Sequence, residues 1–312
     1  MATQIEPRSL KSTPDRARFR RAAWGVLGYN VFIVVWGAFV RASGSGNGCG
    51  DHWPACNGAV IPPSPTLQTI IEFTHRVSSG VSLLAVAGLC LWAFRAFPRA
   101  HPVRRAASLS MFFLVVEALL GAGLVLLKYV GADQSIGRAF YLAAHLANTL
   151  LLLAALTATA WLAARPNSPV SLRSIPLALR VSLPLALLVG VTGAIAALGD
   201  TLFPAASLAA GLHQDFAPAA HFLLRLRLAH PALAILSSAF FAYSAYTLTR
   251  SHPASSAAVL MLVLVQLCAG ALNVALLAPV WMQLLHLFLA DALWIALVYL
   301  SLETTRSVTV SR

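Results

Sequence analysis

Charge is what this chain has least of. Only 10% of its 312 residues are charged, against roughly a quarter in a soluble domain, which is too few to coat a water-facing surface. Acidic residues are the scarcer sign, ten against 22 lysines and arginines. Short alternating runs of the kind that build an outer-membrane barrel are also missing. What the chain has instead is 59% hydrophobic residues, gathered into eight apolar stretches of about 20 residues, enough to cross a bilayer as helices.

The predicted spans are 23–41, 69–94, 106–127, 139–163, 177–198, 226–249, 256–278 and 282–302. The expected fold class is therefore an all-α membrane protein of eight transmembrane helices. A formal net charge of +12 invites a nucleic-acid reading, but the positions of the charges point to the lipid bilayer as partner and to no nucleic acid. Sixteen of the 22 basic residues fall on one side when the N-terminus is placed inside, among them Arg8, Lys11, Arg16, Arg18, Arg20, Arg21, Arg95, Arg99, Arg104, Arg105, Arg165, Arg173, Arg180, Arg250, Arg306 and Arg312. This is the positive-inside bias, and it predicts both termini in the cytoplasm of a bacterial-type plasma membrane. The triplet Val40-Arg41-Ala42 resembles a signal-peptidase site, yet the apolar run before it exceeds a usual signal core, so it reads as the first anchor.

The sequence repeats one plan. Gly37-Ala38-Phe39-Val40 closes span one and Gly190-Val191-Thr192-Gly193 closes span five; Glu117 and the glycines Gly121 and Gly123 run through span three as Gln266 and Gly270 run through span seven. Two tandem four-helix bundles follow, related by a pseudo-twofold axis along the membrane normal, because an even number of spans per unit preserves orientation. The expected organisation is a basic cytoplasmic tail 1–22, a first half 23–165, a linker 166–180, a second half 181–302 and a tail 303–312. The glycines read as packing residues only.

Histidine gives the repeat a chemical meaning. His75, His145, His230 and His286 each lie one or two turns inside the outer end of every second span. An imidazole in hydrocarbon is costly and marks a functional site. Two imidazoles from facing helices are a usual clamp for haem iron, so His75 with His145 and His230 with His286 form two candidate haem sites toward the outer side. Haem propionates want cations near water, and Arg76, Arg138, Arg225 and Arg227 at the outer helix ends are the candidates, with Arg41 at the end of span one. No C-x-x-C-H occurs, so attachment is non-covalent. His52, His101, His213, His221 and His252 read as solvated loop residues.

The halves differ in one informative place. Glu72 stands three residues before His75, whereas Arg227 stands three before His230. A carboxyl beside one ligand points to catalysis in the first half, since it can move a proton or order a water; a Glu72–Arg76 pair at i and i+4 is the structural alternative. Glu117 and Asp291 are further intramembrane acids open to either a proton-path or a hydrogen-bonding role. Cys49 and Cys56, in a Gly- and Pro-rich outer loop, suit a disulfide in an oxidising compartment, with a reduced redox-active pair as the rival. Cys90 and Cys268 read as small apolar core residues.

These residues carry a family resemblance. Arg41-Ala42-Ser43-Gly44-Ser45-Gly46, the Cys49 to Cys56 loop, Ile71-Glu72-Phe73-Thr74-His75-Arg76, Ala144-His145-Leu146-Ala147, Arg227-Leu228-Ala229-His230-Pro231 and Gln283-Leu284-Leu285-His286-Leu287 resemble haem A synthase. The resemblance implies oxidation of the C8 methyl of haem O to a formyl, giving haem A for cytochrome oxidase. It implies haem b on His230 and His286, substrate haem O at His75 and His145, Glu72 as catalytic acid, and a Cys49–Cys56 disulfide. Some members carry a second cysteine pair after span five, which 199–225 lacks here. Haem O synthase, an unidentified electron partner and a second copy of the chain are the partners it admits. The rival readings are a di-haem b-type cytochrome confined to electron transfer, which would not need Glu72, and a haem transporter, which would more often show broken helices.

Overall fold

The computed structural model describes residues 13–165 and 171–305. Residues 1–12 and 306–312 of the expected tails, with Arg8, Lys11, Arg306 and Arg312, and 166–170 of the expected linker lie outside the described residues. The described chain is almost wholly helical, with no strand among the described residues: α1 Thr13–Ala42, α2 Leu67–Ala96, α3 Pro102–Leu126, α4 Ile136–Ala163, α5 Leu177–Leu202, α6 Leu208–Phe216, α7 Phe222–Tyr246, α8 Pro253–Ala275 and α9 Val280–Thr304. All but α6 are long and apolar enough to cross a membrane, and this is an integral membrane protein of eight spans.

Local chemistry sets where the spans begin. Thr66 and Ser135 cap α2 and α4 by accepting from the amides of Thr69 and Arg138, each satisfying an otherwise orphan donor. Pro102 and Pro253 open α3 and α8 in the first turn, where a missing N–H costs nothing. The helices outrun the apolar segments: α1 begins at Thr13, inside the expected tail, and α5, which begins at Leu177 as predicted, runs past the expected end at 198 to Leu202. Basic residues such as Arg16 and Arg18 are good helix formers, so hydropathy ends before the helix does. The long stretch 199–225 holds the short helix α6, which hydropathy alone does not reveal.

The two bundles are rings. In the first, α1 packs on α2, α2 on α3, α3 on α4 and α4 back on α1; in the second, α5, α7, α8 and α9 close in the same order. The halves meet where α4 touches α5 and α9 and α1 touches α9, a pattern that maps onto itself when the halves are exchanged. Corresponding turns match in detail: Lys128 after α3 and Leu277 after α8 both take φ near 61°. The turn of the second half is shorter, so α9 starts nearer its predecessor than α4 does.

The seam between halves is the driest place. Leu150, Leu153, Leu156 and Trp161 of α4 are buried and pack in one cluster with Trp294 and Val298 of α9. Trp294 Nε1 donates to the Leu150 carbonyl at 2.6 Å, which pins the register of α9 against α4. Leu153→Ala, at 0% exposure, is expected to leave a seam cavity and cost about 2–5 kcal/mol, read as a lower unfolding midpoint in detergent. Leu151→Ala, one residue along and 36% exposed, should shift the midpoint little; equal shifts would contradict a packed seam.

Candidate functional site

The helix starts place the four histidines in one layer. They lie eight, nine, eight and six residues into α2, α4, α7 and α9, roughly 9–14 Å along each axis at 1.5 Å per residue. The pairs fall on helices of one ring each, His75 and His145 on α2 and α4 and His230 and His286 on α7 and α9. All four rings are partly accessible although they sit at mid-helix positions. Among the described residues no cluster of three or more His, Cys, Asp or Glu could hold a bare metal ion. Two imidazoles without a third protein ligand suit a metal whose other positions are filled by a macrocycle, so the donor set fits haem.

Each ring nitrogen has a different setting. In the first half, His145 Nδ1 lies 3.4 Å from Glu117 Oε1, which leaves Nε2 for a ligand. Glu117 also accepts from Asn148 Nδ2 at 2.6 Å and from the Thr149 hydroxyl. His75 Nδ1 has no hydrogen-bond partner. In the second half, Thr192 Oγ1 stands 3.1 Å from His230 Nδ1, and Gln266 Nε2 stands 3.3 Å from His286 Nε2. Glu117 and Gln266 thus stand beside corresponding histidines, a carboxyl at Nδ1 in one half and an amide at Nε2 in the other. The sequence left Glu117 open between two roles; in the structure it is hydrogen-bonded to Asn148 and Thr149 and lies beside His145. Asp291 is fully buried, and neither carboxylate oxygen has a partner.

Glu72 faces the outer loop rather than standing free beside His75. Its Oε2 accepts from the Cys49 amide at 2.8 Å, and its Oε1 accepts from Arg76 Nε and Nη2 at 3.2 and 2.5 Å. Arg76 Nη1 in turn donates to the carbonyls of His52 and Ala55 at 2.6 and 2.7 Å. The salt bridge weighed from sequence is therefore present, and it belongs to a larger tie between α2 and the loop. That loop is closed by a Cys49–Cys56 disulfide, both cysteines fully buried. Thr69 Oγ1 adds a bond to the Gly48 carbonyl at 2.8 Å. At the loop's rim Lys128 pairs with Asp51 at 2.8 Å, and that carboxylate holds the ammonium above the usual lysine range; an exposed pair of this kind adds little stability.

The remaining outer arginines are engaged by the protein. Arg138 Nη1 donates to the Gly131 and Asp133 carbonyls, both at 2.7 Å, while its Nε has no partner. Arg225 donates to the Pro218 carbonyl at 2.7 Å. Arg227 pairs with Asp200 at 2.9 Å and with Asp215 of α6, so the position that carries Glu72 in the first half anchors a loop helix in the second. Arg41 crosses between halves, donating to the Ala197 carbonyl, Thr201 Oγ1 and Gln283 Oε1 at 2.9, 2.6 and 3.1 Å. Asp200, Asp215, Thr192 and Gln283 were missed in the sequence because nothing local marks them; their partners lie on other helices.

Two loop histidines do not have the solvated role expected of them. His101 is 5% exposed and caps α3, its Nδ1 accepting from the Val103 amide. His221 caps α7 through the Leu223 amide and packs between Phe203 and Phe222. Capping a helix and stacking on aromatics draw an imidazole out of water. His52, His213 and His252 stay at the surface or in turns, His52 and His213 being exposed.

Comparison with known proteins bears on the same residues. The COX15-CtaA family, described as cytochrome oxidase assembly protein, matches residues 20–298. A protein named protoheme IX farnesyltransferase from Thermus thermophilus is 46% identical over 93% of this chain and 49% of its own length. Proteins named heme A synthase are similar over shorter stretches: that of Halalkalibacterium halodurans is 37% identical over 45% of this chain and 45% of its own, and that of Exiguobacterium sibiricum 38% over 30% and 32%. The chain spans about half the length, or less, of these relatives.

The carboxylate of Glu117 gives a stability prediction. Glu117→Ala strands the buried amide of Asn148, which keeps only the Phe113 carbonyl, and the Thr149 hydroxyl, which keeps only its own-helix carbonyl. A loss of about 1–3 kcal/mol is expected, measured as a lower unfolding midpoint in detergent, with Glu117→Gln losing less. An unchanged midpoint in Glu117→Ala would show that the carboxylate is not bonded as described.

Proposed function

Because the chain belongs to the COX15-CtaA family, we propose that it acts in haem A synthesis by oxidising the C8 methyl of haem O to a formyl group. The observation that carries this reading is the asymmetry of the halves: a carboxylate one turn outward of His75, held by the Cys49 amide and Arg76, against an arginine consumed by two aspartates at the matching place beside His230. A pair of equal electron-transfer sites has no use for that difference.

In this reading His75 and His145 receive substrate haem O, and His230 and His286 hold a resident haem b. When bound, the haem b supplies one-electron transfer. Converting a methyl to an aldehyde removes four electrons and four protons while one water oxygen is added, so an electron acceptor outside this chain completes the balance. Glu72 and Arg76 hold a carboxylate and a guanidinium at the outer edge of the His75 site, where they order a water and take up released protons. The disulfide loop fixes both groups and shields them from bulk water. Arg76, Arg138, Arg225 and Arg227 give the rim positive charge for propionates; Arg138 also keeps an unpartnered Nε.

The farnesyltransferase name belongs to proteins about twice as long, of which this chain covers 49%. We assign farnesyl transfer to the half of those proteins that this chain does not match. A separate enzyme that farnesylates haem then supplies haem O to this one, and joining of the two in one polypeptide elsewhere supports their working together. The positive-inside bias supports a topology with both termini in the cytoplasm and the histidine layer toward the outer face.

The activity test is chromatography of haems extracted after co-expression with a haem O source. Haem A should accumulate, Glu72→Ala should abolish it while leaving haem b bound, and finding only haem B and haem O with the unaltered chain would favour the electron-transfer cytochrome. A separate spectral test concerns the resident cofactor: purified protein should show a low-spin bis-histidine spectrum that His230→Ala and His286→Ala lose. For orientation, Ile61→Cys in the outer loop should react with a membrane-impermeant maleimide in intact cells and Arg99→Cys should not. The reverse pattern would invert the topology.

A further inference from the structure

Every one of the four layered histidines meets a glycine on the helix that precedes it. A Cβ built on Gly37 of α1 would stand 3.0 Å from Cε1 of His75; on Gly193 of α5, 3.0 Å from Cε1 of His230; on Gly270 of α8, 3.1 Å from Cε1 of His286. On Gly121 of α3 it would stand 4.0 Å from Cε1 of His145. Glycine is only 19 of 312 residues, and the same ring atom is met each time, so four coincidences do not explain the pattern. Loose packing does not explain it either, since Gly25 and Gly28 of α1 and Gly80 and Gly88 of α2 have nothing within 4 Å of such a Cβ. Glycine inside a helix is also unfavourable by about 0.5–1 kcal/mol relative to alanine, which local preference alone would remove.

We propose that Gly37, Gly193 and Gly270 are positioning residues that set the plane of each imidazole by letting its Cε1 edge rest on bare helix backbone. The inference rests on the haem reading of the two histidine pairs. Cε1 is bonded to both ring nitrogens, so any group that pushes it away swings Nε2 with it and misdirects the lone pair that a metal would use. Side-chain restraints on the rings are few: His75, His145 and His286 form no hydrogen bond at Nδ1, His286 Nε2 meets Gln266 at 3.3 Å, and His230 Nδ1 meets the Thr192 hydroxyl at 3.1 Å. His145 differs from the other three in its glycine distance. Its glycine leaves room for a methyl, and Glu117 is already beside its Nδ1. The geometry therefore sorts the four seats into three where an added Cβ would crowd the ring and one where it would not.

The test uses the full chain purified in detergent and reads bound haem b per polypeptide, the electron paramagnetic resonance signal of its low-spin iron, which reports the relative planes of the two imidazoles, and its midpoint potential. Gly193→Ala and Gly270→Ala, each compared with Gly88→Ala, should retain haem about 10-fold more weakly or show a displaced low-spin signal, in the range of changes to groups that orient metal ligands, while eluting as a folded species. Gly88→Ala should match the unaltered chain. In the first half, titration with haem O should be weakened by Gly37→Ala and not by Gly121→Ala. Wild-type haem content, signal and potential in both Gly193→Ala and Gly270→Ala would overturn the proposal, as would an equal change in Gly88→Ala. The two substitutions lie on different helices, so failure of one to fold leaves the other to decide. Retention of haem b by His230→Ala would instead sink the haem reading itself, which separates the two failures.

Discussion

An imidazole inside a membrane has to be turned and partnered by neighbouring helices, because no water is there to do it. This chain carries four such imidazoles in one layer, and much of its architecture follows. The preceding span presents a glycine to each ring, at Gly37, Gly121, Gly193 and Gly270. Close approach brings Glu117, Thr192 and Gln266 alongside the rings. The ring-like closure of each bundle then sets the two histidine helices on facing sides of a shared interior.

The halves diverge at their outer ends, and the divergence is electrostatic. In the first, a carboxylate on α2 accepts from the amide of a disulfide-closed loop, and its arginine partner holds two carbonyls of the same loop. In the second, the arginine on α7 takes two aspartates, one from the end of α5 and one from α6. Charged groups in a layer this dry are tolerated only when paired and bonded. The two solutions leave different chemistry at the rim: a carboxylate next to one histidine pair and a neutralised, loop-binding arginine next to the other. Arg41 joins the halves across this layer, so the two outer surfaces are mechanically one.

Much of this was legible without coordinates. Hydropathy found all eight spans, since about 20 apolar residues in a row have few other uses, and the repeat of Glu117 and Gln266 around the histidines revealed the duplicated plan. The boundaries were less legible, because α1 and α5 continue into basic or polar sequence that a bilayer scale cannot distinguish from loop. Helix α6 was hidden for the same reason. The glycines were visible in sequence but read as packing alone, since a glycine does not announce which side chain lies over it.

The sequence by itself determined the number of spans and how far along its span each of the four histidines falls, because these follow from helix rise, apolar run length and chain order. Only the tertiary structure decided which nitrogen of each ring has a neighbour, that Glu117 lies beside His145, that Glu72 is bonded to the Cys49 amide, and that Arg227 is occupied by Asp200 and Asp215. Each of those contacts joins residues on different helices or loops. Their geometry depends on how the bundle closes, and closure is a property of packed faces that no single helix carries.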